Sequence, residues 1–234
     1  MRRFICCALI LGFLGTKVEA VEAASAAARL KAATAALQTP ALTERDSQRT
    51  KQELAALIAA EPGSEAGLAA RYLLGRLRQL EDGISEPPEF IALISIQPQH
   101  PLAQLAAVKL LLRRLYAEGI AAPAERLRAA EVLGKSLTLP ALRGDFHLAM
   151  GDAYIFYGDQ RAPALRHLRA AEGLGIPSAA TRANVLVQIG ELARLTGDRE
   201  TAVQSYTVFL ADYPRDLRQQ IVRDHLAALG EASP

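Results

Sequence analysis

The chain has 234 residues, half of them apolar and 22% charged, with 5% aromatic residues, no Trp and two Cys. Those proportions exclude a disordered, collagen-like or disulfide-stapled chain, and they leave enough apolar side chain for one or two ordinary domains or a repeat array. The formal charge of +2 resides in the first twenty residues, where Arg2, Arg3 and Lys17 stand against Glu19; the balanced remainder gives no electrostatic ground for binding nucleic acid or anionic lipid.

Residues 1–20 read as an export address. Met1-Arg2-Arg3 is a short positive segment, residues 4–15 form an uncharged apolar run, and Val18-Glu19-Ala20 places small residues where a signal peptidase reads them. The run is shorter than the roughly 20 apolar residues a spanning helix needs. Cleavage is expected after Ala20, with Ala23 the second choice. Cys6 and Cys7 lie near the start of the run rather than at the cleavage point, so lipid attachment is not expected. Phe4 follows Arg2-Arg3 directly, which favours general secretion over twin-arginine export. Both cysteines depart with the signal, leaving the mature chain to be stabilised by packing alone. The location expected on this reading is the periplasm.

Beyond the signal, Ala, Leu, Arg and Glu dominate, all strong helix formers, and no stretch alternates with the period of a strand. The pattern predicts helices over 21–38, 44–60, 65–81, 87–96, 101–118, 123–136, 143–157, 160–173, 178–196, 199–212 and 215–229. The first is so rich in Ala that it offers little to bury and is expected to pack least firmly. In the last, Leu217, Ile221, Val222, Leu226 and Leu229 fall on one face, opposite Arg215, Asp216, Arg218, Gln219, Arg223 and Asp224, as expected of a capping helix.

The helices repeat. Leu127-Arg128-Ala129-Ala130-Glu131-Val132-Leu133-Gly134 recurs 41 residues on, from Leu168 to Gly175, with only Val132 replaced by Gly173. Gly151 and Gly190 are each followed seven residues later by a Gly-Asp pair, Gly158-Asp159 and Gly197-Asp198. Gly75 and Leu112 occupy matching places in two earlier copies, so the spacings are 37, 39 and 39 residues. Residues 183–216 carry Leu186, Ile189-Gly190, Ala193, Gly197-Asp198, Ala202, Tyr206, Phe209-Leu210 and Pro214. This segment resembles the tetratricopeptide repeat family. In that pattern Gly190 and Ala202 let two helices of a hairpin approach, Gly197 ends the first, Asp198 caps the second and Pro214 stops it. In the Gly151 copy, Ala164, Leu168 and Ala171 take the packing roles of the second helix.

The resemblance, carried over residues 43–230, implies an all-α fold. The expected architecture is a right-handed superhelix of antiparallel helix hairpins, a tetratricopeptide-like α-solenoid, with a C-terminal capping helix. Residues 21–42 would be an Ala-rich leading helix and 231–234 a frayed tail. The resemblance also implies a concave groove lined by first-helix positions. These are Tyr72, Arg76 and Gln79; Lys109, Arg113 and Tyr116; Asp145, Leu148, Asp152 and Phe156; and Asn184, Val187, Glu191 and Arg194. Such a groove would be basic with tyrosines at one end and acidic with apolar patches at the other, suited to a peptide segment or partner helix. The carboxylate clamp by which the family grips chaperone C-termini is not reproduced, because Arg113 stands where Asn is required.

Chemistry-bearing patterns are scarce. The four histidines, His100, His147, His167 and His225, include no i, i+4 pair of the kind that holds zinc on a helix. Asp145 and His147, two apart on a helix, point in different directions, and His147 reads as a packing residue. There is no phosphate loop and no nucleophile elbow. A non-enzymatic interaction scaffold is therefore expected, with no cofactor, no metal and a protein partner from the cell envelope. The segments 206–214 and 70–75 look like those of periplasmic tetratricopeptide proteins in outer-membrane assembly and cell-division coordination. Two alternatives stay open: a structural spacer tethered by an uncleaved N-terminus, and a superhelical accessory of peptidoglycan-processing enzymes, whose helical arm the chain loosely resembles.

Overall fold

The computed structural model describes residues 17–38, 43–81, 83, 86–116, 122–158 and 160–231. The expected signal segment up to residue 16, and the tail beyond Glu231, lie outside the described residues. Every regular element among the described residues is an α-helix. The helices cluster as two compact units, Met1–Ile96 and Gln97–Pro234, where the sequence suggested one continuous array over 43–230.

The first unit holds α1 (Lys17–Gln38), α2 (Glu44–Ala60), α3 (Glu65–Glu81) and α4 (Pro88–Ile96). Thr43 starts α2 by accepting the Asp46 backbone N–H at 3.2 Å, which satisfies one of the donors a helix leaves open at its N-terminus. α3 is the centre of the unit and packs on α1, α2 and α4. The Ala-rich α1 lies on α2 and α3 through Ala26, Leu30 and Ala33, whose spacing of four and three places them on one helical face. α4 seats the fully buried Phe90 against Gly75, where an added Cβ would come within 2.6 Å of the ring. Polar ties reinforce the packing: Arg78 reaches Glu89 at 2.6 Å, and Lys51 and Ser47 of α2 both reach Glu81.

The second unit holds α5 (Pro101–Tyr116), α6 (Pro123–Gly134), α7 (Pro140–Phe156), α8 (Arg161–Leu174), α9 (Ala179–Thr196), α10 (Arg199–Asp212) and α11 (Gln219–Glu231). Each helix packs on the next, and α5 also packs on α7. α7 begins three residues before the predicted start, because Pro140 has the right φ for a first helical position and lacks only an N–H that would go unused there. Gly197, at φ 80°, ends α9 in the left-handed region, and the Asp198 carboxylate accepts the Thr201 N–H at 3.1 Å to start α10.

Small residues set the helix spacing. Gly190 of α9 is buried against the ring of Tyr206, itself fully buried in α10 beside Ala202 and Phe209. Gly151 of α7 lies against Leu168 of α8, an added Cβ falling 2.5 Å from a methyl group, and Ala164, Leu168 and Ala171 are all fully buried. Each large side chain thus occupies the space a side chain would have taken on the facing helix, at about 1.5–3 kcal/mol per buried apolar group. Gly134 does the same for Phe146. Leu112, placed by its spacing at the small-residue position of its copy, is 38% exposed, whereas Leu111 beside it is fully buried. No close approach exists there.

Two buried glutamines pin loops. Gln104 of α5 donates to Gln99 O at 3.1 Å and Thr138 Oγ1 at 2.7 Å, and accepts from the backbone N–H groups of Thr138 and Leu139 at 2.9 and 3.0 Å. That satisfies its whole amide and fixes the α6–α7 connection. Gln219 donates to Leu210 O and Tyr213 O at 3.2 and 2.9 Å, which places the start of α11 at 219 rather than 215. Leu217 therefore precedes the helix and is wholly exposed, and Ile221 is also exposed, which corrects the predicted core face; Val222 is the buried anchor.

Gly190→Ala is expected to cost about 1–3 kcal/mol through overpacking against Tyr206, read as a lower urea midpoint. Gly173→Ala, where an added Cβ meets nothing within 4 Å, is expected to raise it, since Ala is the better helix former by up to about 1 kcal/mol. Gln104→Leu is expected to lose about 2 kcal/mol or more in the same assay, because two backbone N–H groups lose their acceptor.

Candidate functional site

The groove candidates separate into three groups. In the first unit, Tyr72 is 8% exposed and stacks on Phe90 with centroids 5.7 Å apart, so it belongs to the core, a correction to its reading as a groove residue. Arg76 spends its guanidinium on Gln79 of its own helix at 2.7 Å. On α9, Asn184 accepts from Arg218 at 2.8 Å, and Glu191 accepts from Arg194 at 2.8 Å and from Tyr206 at 2.6 Å, with His225 of α11 in contact as well. These three α9 residues hold the end of the unit together.

The third group lies on α5 and α7, which pack side by side. Lys109, Arg113 and Tyr116 follow one face of α5, and Asp145, Asp152 and Phe156 follow one face of α7 at intervals of seven and four. Asp145, Asp152, Arg113, Tyr116 and Phe156 are exposed and Lys109 half-buried. At the C-terminal ends of the two helices three rings meet: Tyr116 to Phe156 edge-on at 6.1 Å, Tyr116 to Tyr157 stacked at 6.2 Å, and Phe156 to Tyr157 edge-on at 4.9 Å. Arg126 of α6 sits over the Tyr157 ring at 4.9 Å, and the Tyr157 hydroxyl donates to Leu115 O. Phe156 leaves 71% of its surface in water. Burial together with the Asp152 charge pushes the Tyr116 hydroxyl above its ordinary pKa.

A second kind of site was not read from the sequence. Glu131 of α6 accepts from Tyr154 of α7 at 3.0 Å and from His167 Nε2 of α8 at 2.8 Å. His167, 3% exposed, brings its Nδ1 to 2.9 Å from Nδ1 of His147. Burial drives both histidines below their ordinary pKa, and for His167 it outweighs the opposing pull of Glu131. Burial opposes ionisation of Glu131 too, but the hydrogen bonds from His167 and Tyr154 prevail and its pKa falls. Glu191 on α9 repeats the arrangement with Tyr206 and His225, so each carboxylate ties three consecutive helices. The one sequence signal was the repeated Leu-Arg-Ala-Ala-Glu segment: its second glutamate, Glu172, accepts from Arg182 of α9 at 2.9 Å, and Arg182 also reaches Asp212 of α10 at 2.6 Å. The His147–His167 pair, twenty residues apart on different helices, has no signature in spacing.

Among the described residues, no group of three or more His, Cys, Asp or Glu side chains converges as a metal site, and no helix is long and apolar enough to cross a membrane. Shallow clefts open among the described residues. One of about 490 Å³ lies between α1 and α2, lined by Ala28, Ala32 and Ala56 together with Arg29, Arg49, Gln52 and Glu53; one of about 260 Å³ opens beside Glu131 and Tyr154, lined also by Arg128 and Gln160. No family model matches the chain, and neither a curated protein nor a solved structure matches it.

Tyr206→Phe tests the second carboxylate tie. Glu191 has its pKa lowered against the opposing effect of burial, with the Tyr206 hydrogen bond the foremost favourable cause. A carboxylate depressed in the folded state stabilises above its unfolded pKa and loses that contribution as pH falls through its folded value. The variant is expected to be about 1–2 kcal/mol less stable near neutral pH. The gap from wild type should close in melts taken below about pH 4.

Proposed function

We propose that the chain is an exported, non-enzymatic interaction scaffold, whose second unit is a tetratricopeptide-like run of helical hairpins. It binds a peptide segment or partner helix on the surface shared by α5 and α7. The observation that carries this reading is Phe156, a large aromatic side chain held mostly in water beside two tyrosines and flanked by the charged faces of Lys109, Arg113, Asp145 and Asp152. Clustered aromatic and arginine side chains are the composition of interaction hot spots, and exposing such a ring is unfavourable until a partner covers it. The repeat reading is supported by Gly151 and Gly190, which sit against Leu168 and Tyr206 at the close approaches that the pattern requires. Right-handed superhelical stacking is what the tetratricopeptide resemblance implies for such a run.

The periplasmic location rests on the three-part character of residues 1–20. Removal of these residues before folding leaves the buried Ala26, Leu30 and Ala33 of α1 in place. N-terminal sequencing of exported material should begin at Val21 or Ala24, whereas an intact Met1 would favour the tethered spacer.

Selection of peptides from a random display library against the secreted chain tests the binding surface. Enriched peptides are expected to lose about tenfold or more in affinity on Phe156→Ser and on Arg113→Ala, with the thermal midpoint of each variant near that of wild type. Peptides that bind both variants as tightly as wild type would overturn the assignment of the surface.

A further inference from the structure

The contact between His147 and His167 has consequences that follow from counting protons. Glu131 carries a carboxylate and accepts at His167 Nε2, so Nε2 of His167 holds a proton. A neutral His167 then offers only a lone pair at Nδ1, and the 2.9 Å contact requires His147 to donate from its own Nδ1. A proton arriving at the half-buried His147 enters at Nε2 and leaves this contact intact. A second proton has nowhere to go but Nδ1 of His167, which sets two N–H groups and two cationic rings head to head at a centroid distance of 5.1 Å. At 2.9 Å no water fits between the two nitrogens. Phe146 lies edge-on to both rings at 5.0 and 5.7 Å, and Tyr154 stacks on His167 at 5.5 Å.

We infer that His147, His167, Glu131 and Tyr154 form a proton-operated latch, which holds α6 against α7 and α8 when at most one histidine is charged and releases α6 when both are. α6 is the element that gives way. It has 12 residues, the shortest helix of its unit, and its polar anchor is Glu131 itself. Its terminal Gly134 rests on Phe146, the ring that also covers both histidines. Leu127 and Ala130 are its buried apolar contacts. The charged and titratable groups acting on the pair come from all three helices: Glu131 from α6, Arg143 and Tyr154 from α7, and Arg166 from α8, which lies 3.9 Å from Glu131. The two arginines add to the repulsion that a doubly charged pair would feel, and Glu131 opposes it.

Release of α6 reaches the aromatic surface. Arg126, on α6, covers the Tyr157 ring, and Tyr157 stacks on Tyr116. With α6 displaced, that cation leaves the ring and the three-ring cluster loses its support on one side. This coupling rests on the binding reading given above; the latch does not.

Histidine ring resonances and amide hydrogen exchange of the full chain, followed from about pH 7.5 down to about pH 4, test the latch. The expected result is a two-step titration of the pair, with protection of residues 123–134 falling about tenfold or more on the second step. α2 and α3, which carry no histidine, should keep their protection. His167→Gln retains an N–H for Glu131 but gains no charge, and its α6 protection should not change with pH. Should that variant fail to fold, wild type alone decides, since independent single titrations with unchanged α6 protection overturn the latch. Acid sensitivity of α6 that persists in a folded His167→Gln chain also overturns it. Selected peptides whose affinity is independent of pH, in a chain whose α6 does loosen, overturn the coupling and leave the latch standing. If no peptide binds at any pH, the binding reading fails and the exchange result still decides the latch.

Discussion

The constraint on which the rest depends is the distance between neighbouring helices. With Cys6 and Cys7 the only cysteines and both inside the expected signal, no covalent tie holds the remaining helices together. They stay together because a glycine on one helix leaves room for a large side chain from the next: Phe90 on Gly75, Leu168 on Gly151, Tyr206 on Gly190 and Phe146 on Gly134. Interiors are close-packed, so such a pairing fixes both spacing and rotation. Gly151 and Gly190 take matching places in successive copies and Gly75 the same place two copies before Gly151, with Leu112 in between, so one packing solution is reused along the chain.

Onto this apolar framework the structure adds polar ties of one recurring design. Glu131, Glu172 and Glu191 each project from one helix and accept hydrogen bonds from the helix or helices that follow. Half-buried carboxylates are costly unless their lone pairs are occupied; each of these is met by hydroxyl, imidazole or guanidinium donors, with Glu172 Oε2 left unpaired. A helix rotated by one residue would leave the carboxylate unpaired. The ties therefore select the register that the glycines permit.

The elements were largely legible because their boundaries are chemical. Thr43 and Asp198 cap and prolines open α5 and α6, so the starts of α2, α5, α6 and α10 fall where the sequence placed them. The start of α11 did not, because Asp216 and Arg218 close a local turn whose hydrogen bonds hold the Asp216 pKa down at about 2. Which of the candidate positions stay exposed was not legible. Periodicity puts Tyr72 and Tyr116 on equivalent faces, but Tyr72 is covered by Phe90 whereas Tyr116 is not. Periodicity reports direction around a helix and says nothing of what stands opposite. The His147–His167–Glu131 chain was illegible for the same reason, since it joins three helices and no two of its members share one.

The order of contacts in the second unit bears on how that unit is made. Every helix there packs on the one that follows it in sequence, with α5 on α7 the longer reach. Closing such contacts requires only short loops, so little chain entropy is lost before the first burial repays it. A chain folding from its N-terminal side would be able to zip hairpin onto hairpin in the order of synthesis, each finished pair offering a surface to the next. Under tension the same wiring would give way in reverse, one pair at a time, rather than in a single rupture.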